Sequence, residues 1–469
     1  GLAGNLSGPV GIGTAGDVVT AGGDLNYDSA VTLTGDVVLD LEDGPARGTV
    51  FFASKVNGTT SGQESLTIGG NLVSVGSIGA ATALESLSVS GTSSLTGGIT
   101  LRTTGNQTYT GSATSKGGVT IQAGSGSTVA FLGDVTLAGL VTATADAANY
   151  AVSLTGSTVS ITNAVTFQNT GTVQLGDAKT DSLTFTGGLT STAPSTTKLA
   201  GAITTTNAAA GFGVASLTAD TVVTTGSGDI AFTDVLDGAQ ALTANSQGTT
   251  TFGGAVGGVT PLVSLATNAG GTTAINGGRV TTSGTAGQVY GDAVTLGANT
   301  TLTANGSGAI SFATTLDGAK TLAVNTQGAV TFGGAVGGVT PLVSLATDPL
   351  GTTAINGGSV TTSGVAGQVY NDAVTLGANT TLTANGSGPV SFATTLDGAK
   401  TLAVNTQGAV TFGGAVGGVT PLVSLATNAG GTTAIDGGSV TTSGTAGQVY
   451  GDAVTLGANT TLTADRKST

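Results

Sequence analysis

The chain has 469 residues, a net charge of −14 and a pI near 4.1, and it contains no His, Cys, Met or Trp. Without imidazole or thiol groups it cannot form a Ser-His-Asp or Cys-His triad, and it lacks the usual ligands for zinc and haem. Its 11 Lys and Arg residues are scattered, which argues against a nucleic-acid partner, because phosphate binding needs clustered basic groups.

The composition favours β structure with many tight turns. Gly accounts for 82 residues, charged residues for 8% and aromatic residues for 4%, while the mean hydropathy is +0.33. The chain is too apolar for ordinary disorder, and its content of Gly, Thr and Val disfavours helix. No apolar run reaches the roughly 20 residues that a spanning helix needs, so no membrane insertion is expected.

The chain begins GLAGNLSG, without an initiator Met or a signal-peptide pattern, so we interpret it as processed or excised from a longer protein. Gly11, Gly13 and Gly16 then spell G-x-G-x-x-G. A dinucleotide site needs a helix after this motif, but the sequence continues DVVTAGGDL. These residues are therefore interpreted as turn glycines.

An aromatic residue followed by a segment like A-V-T-L recurs along the whole chain, which indicates one repeat array. The aromatic positions are Tyr27, Tyr109, Phe212, Tyr290, Tyr370 and Tyr450. The period is 80 residues where the copies are most alike. The predicted organisation is diverged repeats over 1–220, copies over 221–300, 301–380 and 381–460, and the start of a truncated repeat over 461–469.

A shorter period lies within each 80-residue unit. Leu302, Leu322 and Leu345 open similar segments, and each is followed three residues later by an Asx residue and ten residues later by Phe or Ile. These following residues are Asn305, Asn325 and Asp348, and Phe312, Phe332 and Ile355. We infer about four turns of roughly 20 residues in each unit.

These features predict an all-β fold, a parallel β-helix (β-solenoid) with about 20 residues per coil and an 80-residue higher-order repeat. In such a fold the inward residues of successive coils stack on one another, and outward positions are filled by Thr and Ser. The predicted stacks are Leu302 over Leu322, Phe312 over Phe332 and, in a turn, Asn305 over Asn325.

Charged residues in the repeats are interpreted as structural. Asp317 and Lys320, like Asp397 and Lys400, are predicted to form exposed turn salt bridges rather than acid/base pairs. A second set of acidic residues closely follows the repeated tyrosines and is expected to cap turns, with cation or sugar binding as the alternative. This set is Asp292, Asp372 and Asp452.

No catalytic, cofactor-binding or metal-binding residue is assigned, and no enzyme activity is expected. The clustered carboxylates of a calcium repeat are missing, which leaves only adventitious calcium sites. A polysaccharide depolymerase would gather Asp, Arg and Lys on a few coils, and an ice-binding solenoid would repeat T-x-T in every coil. The four arginines are instead far apart: Arg47, Arg102, Arg279 and Arg466.

The unit GTTAINGGSVTTSGVAGQVYNDAVTLGANTTLTANGSGPVSFATTLDG resembles the repeat regions of giant bacterial adhesins of the filamentous haemagglutinin type, which are secreted by two-partner or autotransporter-like routes. The resemblance implies a right-handed parallel β-helix stalk at the bacterial cell surface or outside the cell. It also implies a role in attachment, aggregation or biofilm formation, with cell-surface or matrix glycans bound by a region outside this chain.

A self-assembling extracellular filament or sheath is the alternative function. Neither end of the chain resembles a cap, and an uncapped strand edge tends to pair with another chain. This pattern favours self-association end to end or laterally.

Overall fold

The computed structural model describes residues 5–6, 10–12, 17–20, 23–42, 47–142 and 149–464. These residues form strands, bends and turns without any helix, and strands of successive coils pair in parallel. The chain divides into two compact units, Gly1–Thr233 and Asp234–Thr469. Each unit is a β-solenoid, which confirms the predicted fold class.

The first unit is built from short strands of two to twelve residues, separated by turns. In the strands from Leu25 onward, buried residues largely alternate with more exposed ones, so that one side of these strands faces the interior. The strands are Asn5–Leu6, Val10–Ile12, Asp17–Thr20, Leu25–Tyr27, Val31–Leu33, Val37–Asp40, Thr49–Phe52, Val56–Gly58, Leu66–Gly69, Asn71–Ser74, Leu87–Val89, Ser93–Leu95, Ile99–Arg102, Gln107–Tyr109, Ala113–Gln122, Thr128–Phe131, Val135–Thr142, Ala151–Leu154, Thr158–Ile161, Val165–Thr166, Thr172–Leu175, Ser182–Phe185, Leu189–Ser191, Thr196–Thr205, Ala210–Phe212, Ala215–Gly226 and Ile230–Phe232.

The second unit has three faces, A, B and C, which the chain visits in that order. Face A contains Ala241–Ser246, Ser264–Thr267, Gln288–Tyr290, Ile310–Phe312, Ala329–Phe332, Thr352–Ile355, Ala373–Leu376, Leu396–Asp397 and Thr461–Ala464. Face B contains Thr249–Phe252, Thr272–Ile275, Ala293–Leu296, Leu316–Asp317, Ser359–Thr362, Thr380–Ala384, Thr401–Thr406 and Leu422–Thr427. Face C contains Leu236–Asp237, Arg279–Thr282, Thr300–Ala304, Thr321–Thr326, Ser344–Thr347, Gln368–Tyr370, Val390–Phe392, Ala409–Phe412, Thr432–Ile435 and Ala453–Leu456. The long strand Ser439–Tyr450 runs from face A to face B.

Aromatic side chains stack in the interior of face A. Tyr290 lies opposite Phe312, and Phe312 lies opposite Phe332, with ring centroids 5.1 and 5.7 Å apart. Phe332 in turn lies opposite Ile355, and all four side chains are buried. The predicted stack of Phe312 over Phe332 is therefore confirmed. The coil length is roughly 22 residues, slightly more than the predicted 20.

Two other predicted stacks are wrong. Leu302 lies opposite Val324, while Leu322 lies opposite Thr300. The pairing is shifted by two residues, and because side chains alternate with a period of two, this shift keeps the same residues inside. Asn325 lies in a strand opposite Thr303, so it does not stack on an asparagine in a turn.

The 80-residue repeat is not a whole number of coils, which corrects the predicted four turns. From Thr300–Ala304 to Ala373–Leu376 the repeat contributes ten strands and the bridging residue Val336, eleven segments in all. Three segments complete one coil, so the next copy begins on another face. Leu302 is on face C, Leu382 on face B and Leu462 on face A.

Glycine allows neighbouring coils to approach closely at a corner. A Cβ atom added to Gly357 would lie 1.9 Å from the backbone of Gly334 in the preceding coil. No side chain can be accommodated at that distance, so this corner requires glycine. Contacts of this kind explain part of the high glycine content.

We expect Phe332→Ala to destabilise the second unit by about 3–5 kcal/mol, because it removes a buried ring from the middle of the face A stack. The change is measured as a shift of the denaturant midpoint followed by circular dichroism. Thr331→Ala, on the outward side of the same strand, is the matched control and should stay within about 0.5 kcal/mol. Equal shifts for both variants would contradict the stacked interior.

Candidate functional site

The repeated D-G turns hold a loop of the following coil. The Asp317 Oδ1 atom accepts hydrogen bonds from the backbone amides of Val339 and Thr340, both at 2.9 Å. The Gly318 amide donates to the Thr340 carbonyl at 3.1 Å and closes the clamp. The same contacts recur in the other copies, where the clamping residues are Asp237 and Asp397.

The predicted salt bridges in these turns are wrong. Among the described residues, no ion pair joins Asp317 to Lys320 or Asp397 to Lys400, whereas Arg47 pairs with Glu42, with 3.4 Å between Nη2 and Oε1. Asp317 instead uses its carboxylate on two backbone amides, and the Lys320 carbonyl accepts a bond from the Val343 amide. Backbone groups that would otherwise lack partners in a loop compete better for the carboxylate than a solvated ammonium does.

The clamped segments, residues 257–261, 337–341 and 417–421, are called the valine loops. Each one places a valine almost entirely in solvent: Val259 is 88% exposed, and Val339 and Val419 are each 87% exposed. The glycine that opens each loop has a positive φ, between 63° and 66°. Two hydrogen bonds to one carboxylate and a left-handed glycine therefore fix the loop conformation.

Each valine loop lies at a different corner of the second unit. The first follows Val256 on face C and leads to face A, and the second follows Val336 on face B and leads to face C. The third follows Val416 on face A and leads to face B. The valine loops move from corner to corner because each repeat has eleven segments, one fewer than four complete coils of three.

Of the acidic residues after the repeated tyrosines, Asp292 and Asp372 lie inside the solenoid, and Asp452 is partly exposed. Asp372 is 1% exposed, and its Oδ1 atom accepts hydrogen bonds from the Thr347 and Thr353 hydroxyls at 2.8 and 2.9 Å. Burial raises the pKa of Asp372, nearby Asp348 adds to the rise, and the two threonine hydroxyls oppose it. The carboxyl group thus braces the corner of the preceding coil. The equivalent residues Asp292 and Asp452 make the same pair of contacts.

Four of the repeated tyrosines belong to a hydrogen-bonded network that sequence reasoning missed. The Tyr290 hydroxyl donates to Gln288 Oε1 at 3.0 Å. The Gln288 amide donates to the carbonyls of Val280 and Thr303 at 3.3 and 2.9 Å, which joins face A to face C. Burial raises the pKa of Tyr290 above its usual range.

Other copies repeat this network, which shows that the tyrosines are structural. The pairs are Gln107 with Tyr109, Gln368 with Tyr370 and Gln448 with Tyr450. In the last pair, burial raises the pKa of Tyr450 to about 12. The signal available in the sequence was the Q-x-Y spacing that accompanies four of the six aromatic positions.

The described residues include no group of three or more His, Cys, Asp or Glu side chains that could hold a metal ion.

Gly11 lies in the strand Val10–Ile12, whereas Gly13 and Gly16 lie outside the described residues. Arg279 donates from Nε to the Thr281 hydroxyl, and Arg466 is also outside the described residues. In the described part of the chain, no helix is long and apolar enough to cross a membrane.

An open polar groove in the first unit holds a single carboxylate. Its lining includes Glu85, Thr104, Asn106, Ser125 and Ser127. Glycoside hydrolysis generally uses two carboxyl groups that face each other across the scissile bond. The groove therefore lacks the arrangement expected of a depolymerase.

The outward threonines do not form one continuous array on face C. Thr301 lies opposite Ala323, and Ala323 lies opposite Ala346. A flat ladder of threonines is therefore interrupted within two coils.

Comparison of the chain with family models, curated proteins and solved structures found no match.

We expect the stability of the chain to fall as pH rises, in part because of Asp372. A pKa raised in the folded state means that the folded chain binds more protons than the unfolded chain. The resulting stabilisation is complete below the ordinary Asp pKa and is lost as pH rises through the raised pKa. Asp372→Asn should therefore weaken this pH dependence, measured by denaturant unfolding between about pH 4 and pH 7.

The exposed Asp234 provides a control with the same change of charge. Asp234→Asn removes the same charge without removing a buried carboxyl group, so it gives the reference slope for the comparison. If Asp372→Asn and Asp234→Asn give the same slope of unfolding free energy against pH, Asp372 does not have the role described.

Proposed function

We propose that this chain is a structural extracellular segment, the repetitive stalk of a large bacterial surface adhesin. Such a stalk spaces a binding region, which is outside this chain, away from the cell during attachment, aggregation or biofilm formation. The proposal is supported by the parallel solenoid and by the resemblance of residues 351–398 to the repeats of filamentous haemagglutinin-type adhesins. We expect no enzyme activity.

One observation carries the proposal: the repeated polar side chains are engaged within the fold. Asp317 clamps the loop of the next coil, Asp372 braces a buried corner and Tyr290 is bonded to an interior glutamine. Each of these contacts recurs in other copies. These repeated groups hold successive coils together and are not directed at a ligand. Such an arrangement suits a spacer, which must keep its coils stacked over a long distance.

The repeat is also suited to changing length in fixed steps. Coils stack at about 4.8 Å, so eleven segments, at three per coil, add about 18 Å along the stack. Every copy offers the same inward residues to its neighbours, so a copy can be added or removed without a new kind of contact. Length can therefore change while the local packing stays the same.

A self-assembling filament or sheath is the second candidate function. It is favoured by one specific feature, the three exposed valine loops, which offer apolar contacts to another chain. In a stalk that works alone, these side chains would have no partner. The two functions are compatible, since a stalk can also associate with its neighbours.

The stalk function predicts that reach depends on repeat number. Deletion of residues 301–380 joins Thr300 to Thr381 and restores the same T-T-L-T-A strand, so the variant should fold and lose about 18 Å of length. The chain would be displayed on bacteria with a C-terminal peptide epitope, and antibody binding would be measured above a surface polysaccharide layer. We expect accessibility to decrease on deletion.

A variant with one additional 80-residue copy is the matched control and should increase accessibility. If epitope accessibility does not change with repeat number in folded variants, the spacer function is wrong. Circular dichroism of the purified variants separates this result from a failure to fold.

A further inference from the structure

We propose that Asn305 and Asn385 are modification sites, at which the folded chain converts asparagine to aspartate or isoaspartate without an enzyme. Both residues occur in the sequence T-A-N-G-S-G, at equivalent positions of two repeats. The proposal does not depend on the stalk function, because it rests on the local backbone alone. It follows from a comparison of the five Asn-Gly pairs in this chain.

The reaction uses the backbone amide that follows the asparagine. The nitrogen of Gly306 attacks Cγ of Asn305, a new C–N bond forms, and the Cγ–Nδ2 bond breaks, so that ammonia leaves with the proton of the glycine amide. Water then opens the resulting succinimide ring at one of its two carbonyl carbons, which gives aspartate or isoaspartate. Nothing is oxidised or reduced. Glycine favours the attack because it has no Cβ atom to hinder its nitrogen.

Neither sequence nor exposure separates the five Asn-Gly pairs. They begin at Asn57, Asn276, Asn305, Asn356 and Asn385. Every one places glycine after asparagine, and all of these asparagines except Asn57 are exposed. The pairs differ in the hydrogen bond that the glycine amide makes.

Two pairs lie at corners where the glycine amide is bonded to the preceding coil. The amide of Gly277 donates to the Phe252 carbonyl, and the amide of Gly357 donates to the Phe332 carbonyl, both at 3.0 Å. Such a bond opposes loss of the amide proton and directs the nitrogen away from the asparagine side chain. Reaction at these corners therefore requires a local opening of the stack, which lowers its rate.

Asn57 is restrained at both reacting groups. Gly58 is buried, and its amide donates to the Thr82 carbonyl at 3.4 Å. The Asn57 Oδ1 atom accepts hydrogen bonds from the amides of Ala81 and Thr82 at 3.0 and 3.3 Å. The side chain and the nucleophile of this pair are therefore both engaged in the fold.

The T-A-N-G-S-G turns leave the glycine amide available. Among the described residues, none accepts a hydrogen bond from the Gly306 amide, whereas the Asn305 amide donates to the Thr282 carbonyl at 2.8 Å. Asn385 and Gly386 repeat this arrangement in the next copy. The asparagine is thus anchored in the stack while the attacking nitrogen has no bond to break.

The corner pairs are not protected by a poor fit of the product. The chain carries Asp436 at the position equivalent to Asn276 and Asn356. The amides of Asp436 and Gly437 donate to the Phe412 carbonyl at 2.9 and 3.0 Å, as in the asparagine copies. A carboxylate is therefore accepted at this corner, and the two kinds of pair differ in the reaction itself.

Conversion changes the charge of the chain with time. Each event adds one negative charge, so two events take the net charge from −14 to −16. Asn305 lies between faces C and A, and Asn385 lies between faces B and C, so the charges arise at different corners. Because the reaction needs only water, its extent increases with the time since the chain folded.

Peptide mass spectrometry tests the proposal on the purified full-length chain. The folded protein would be kept in mildly alkaline buffer, sampled over time and digested with pepsin at low pH, where the reaction is slow. Ala309 and Pro389 distinguish the peptides of the two turns, and Arg279 and Ser359 distinguish those of the two corners. The measurement is the fraction of each asparagine that has exchanged its amide for a hydroxyl group.

We expect several-fold faster conversion at Asn305 and Asn385 than at Asn276 and Asn356 in the folded chain. In concentrated urea the cross-coil hydrogen bonds are lost, so all of these sites should convert at similar rates. Equal rates in the folded chain would overturn the proposal. A preference that persists unchanged in urea would also overturn it, because flanking sequence would then be the cause.

Isoelectric focusing of variants provides an independent measurement. The double variant Asn305→Gln with Asn385→Gln should lose most of the acidic shift that develops on storage, since glutamine would have to close a larger ring. Asn276→Gln with Asn356→Gln is the matched control and should keep the shift. An equal shift in both double variants would contradict the assignment of the sites, while leaving the spacer function intact, because epitope reach is measured separately.

Discussion

Parallel stacking of successive coils is the constraint on which the rest of this structure depends. Each inward side chain lies between the equivalent side chains of the coils before and after it, about 4.8 Å away along the stack. Large rings fit this spacing only when they lie flat on one another, as Tyr290, Phe312 and Phe332 do with interplanar angles of 12° and 7°. Where two corners meet, as at Gly334 and Gly357, the same spacing excludes any side chain.

The constraint also explains how polar groups enter the interior. A buried amide or carboxyl group costs free energy unless it is hydrogen-bonded, and a narrow solenoid offers few partners other than backbone carbonyls and nearby hydroxyls. Gln288 therefore bonds to the carbonyls of two coils and to Tyr290, and Asp372 bonds to two threonine hydroxyls. Threonine combines a β-branched side chain with a hydroxyl, which suits both the strands and these networks.

The sequence alone predicted the fold class, the 80-residue period and the stack of Phe312 over Phe332, because identical apolar spacing between near-identical copies leaves few alternatives. It did not predict which residue lies opposite Leu302. That pairing depends on the length of each turn, and a shift of two residues leaves the buried pattern unchanged. It also paired Asp317 with the nearest lysine, since contacts to backbone amides 22 residues away leave no local pattern. Gln288 was overlooked because glutamine is rarely buried.

The eleven segments of each repeat indicate what a duplication must preserve in this architecture. An inserted copy must contain a whole number of segments, each a strand with its turn. An incomplete segment would break the alternation of strands and turns, and the strands that follow would no longer lie opposite strands of the preceding coil. It need not contain a whole number of coils, because the faces are interchangeable: Leu302, Leu382 and Leu462 are equivalent residues on faces C, B and A. Interchangeable faces require an interior that is similar on all sides, and the recurring Leu, Val, Ile and Phe provide it. The rotation of the valine loops is therefore a consequence of duplication by segments, and a repeat of twelve segments would have placed all of them at one corner.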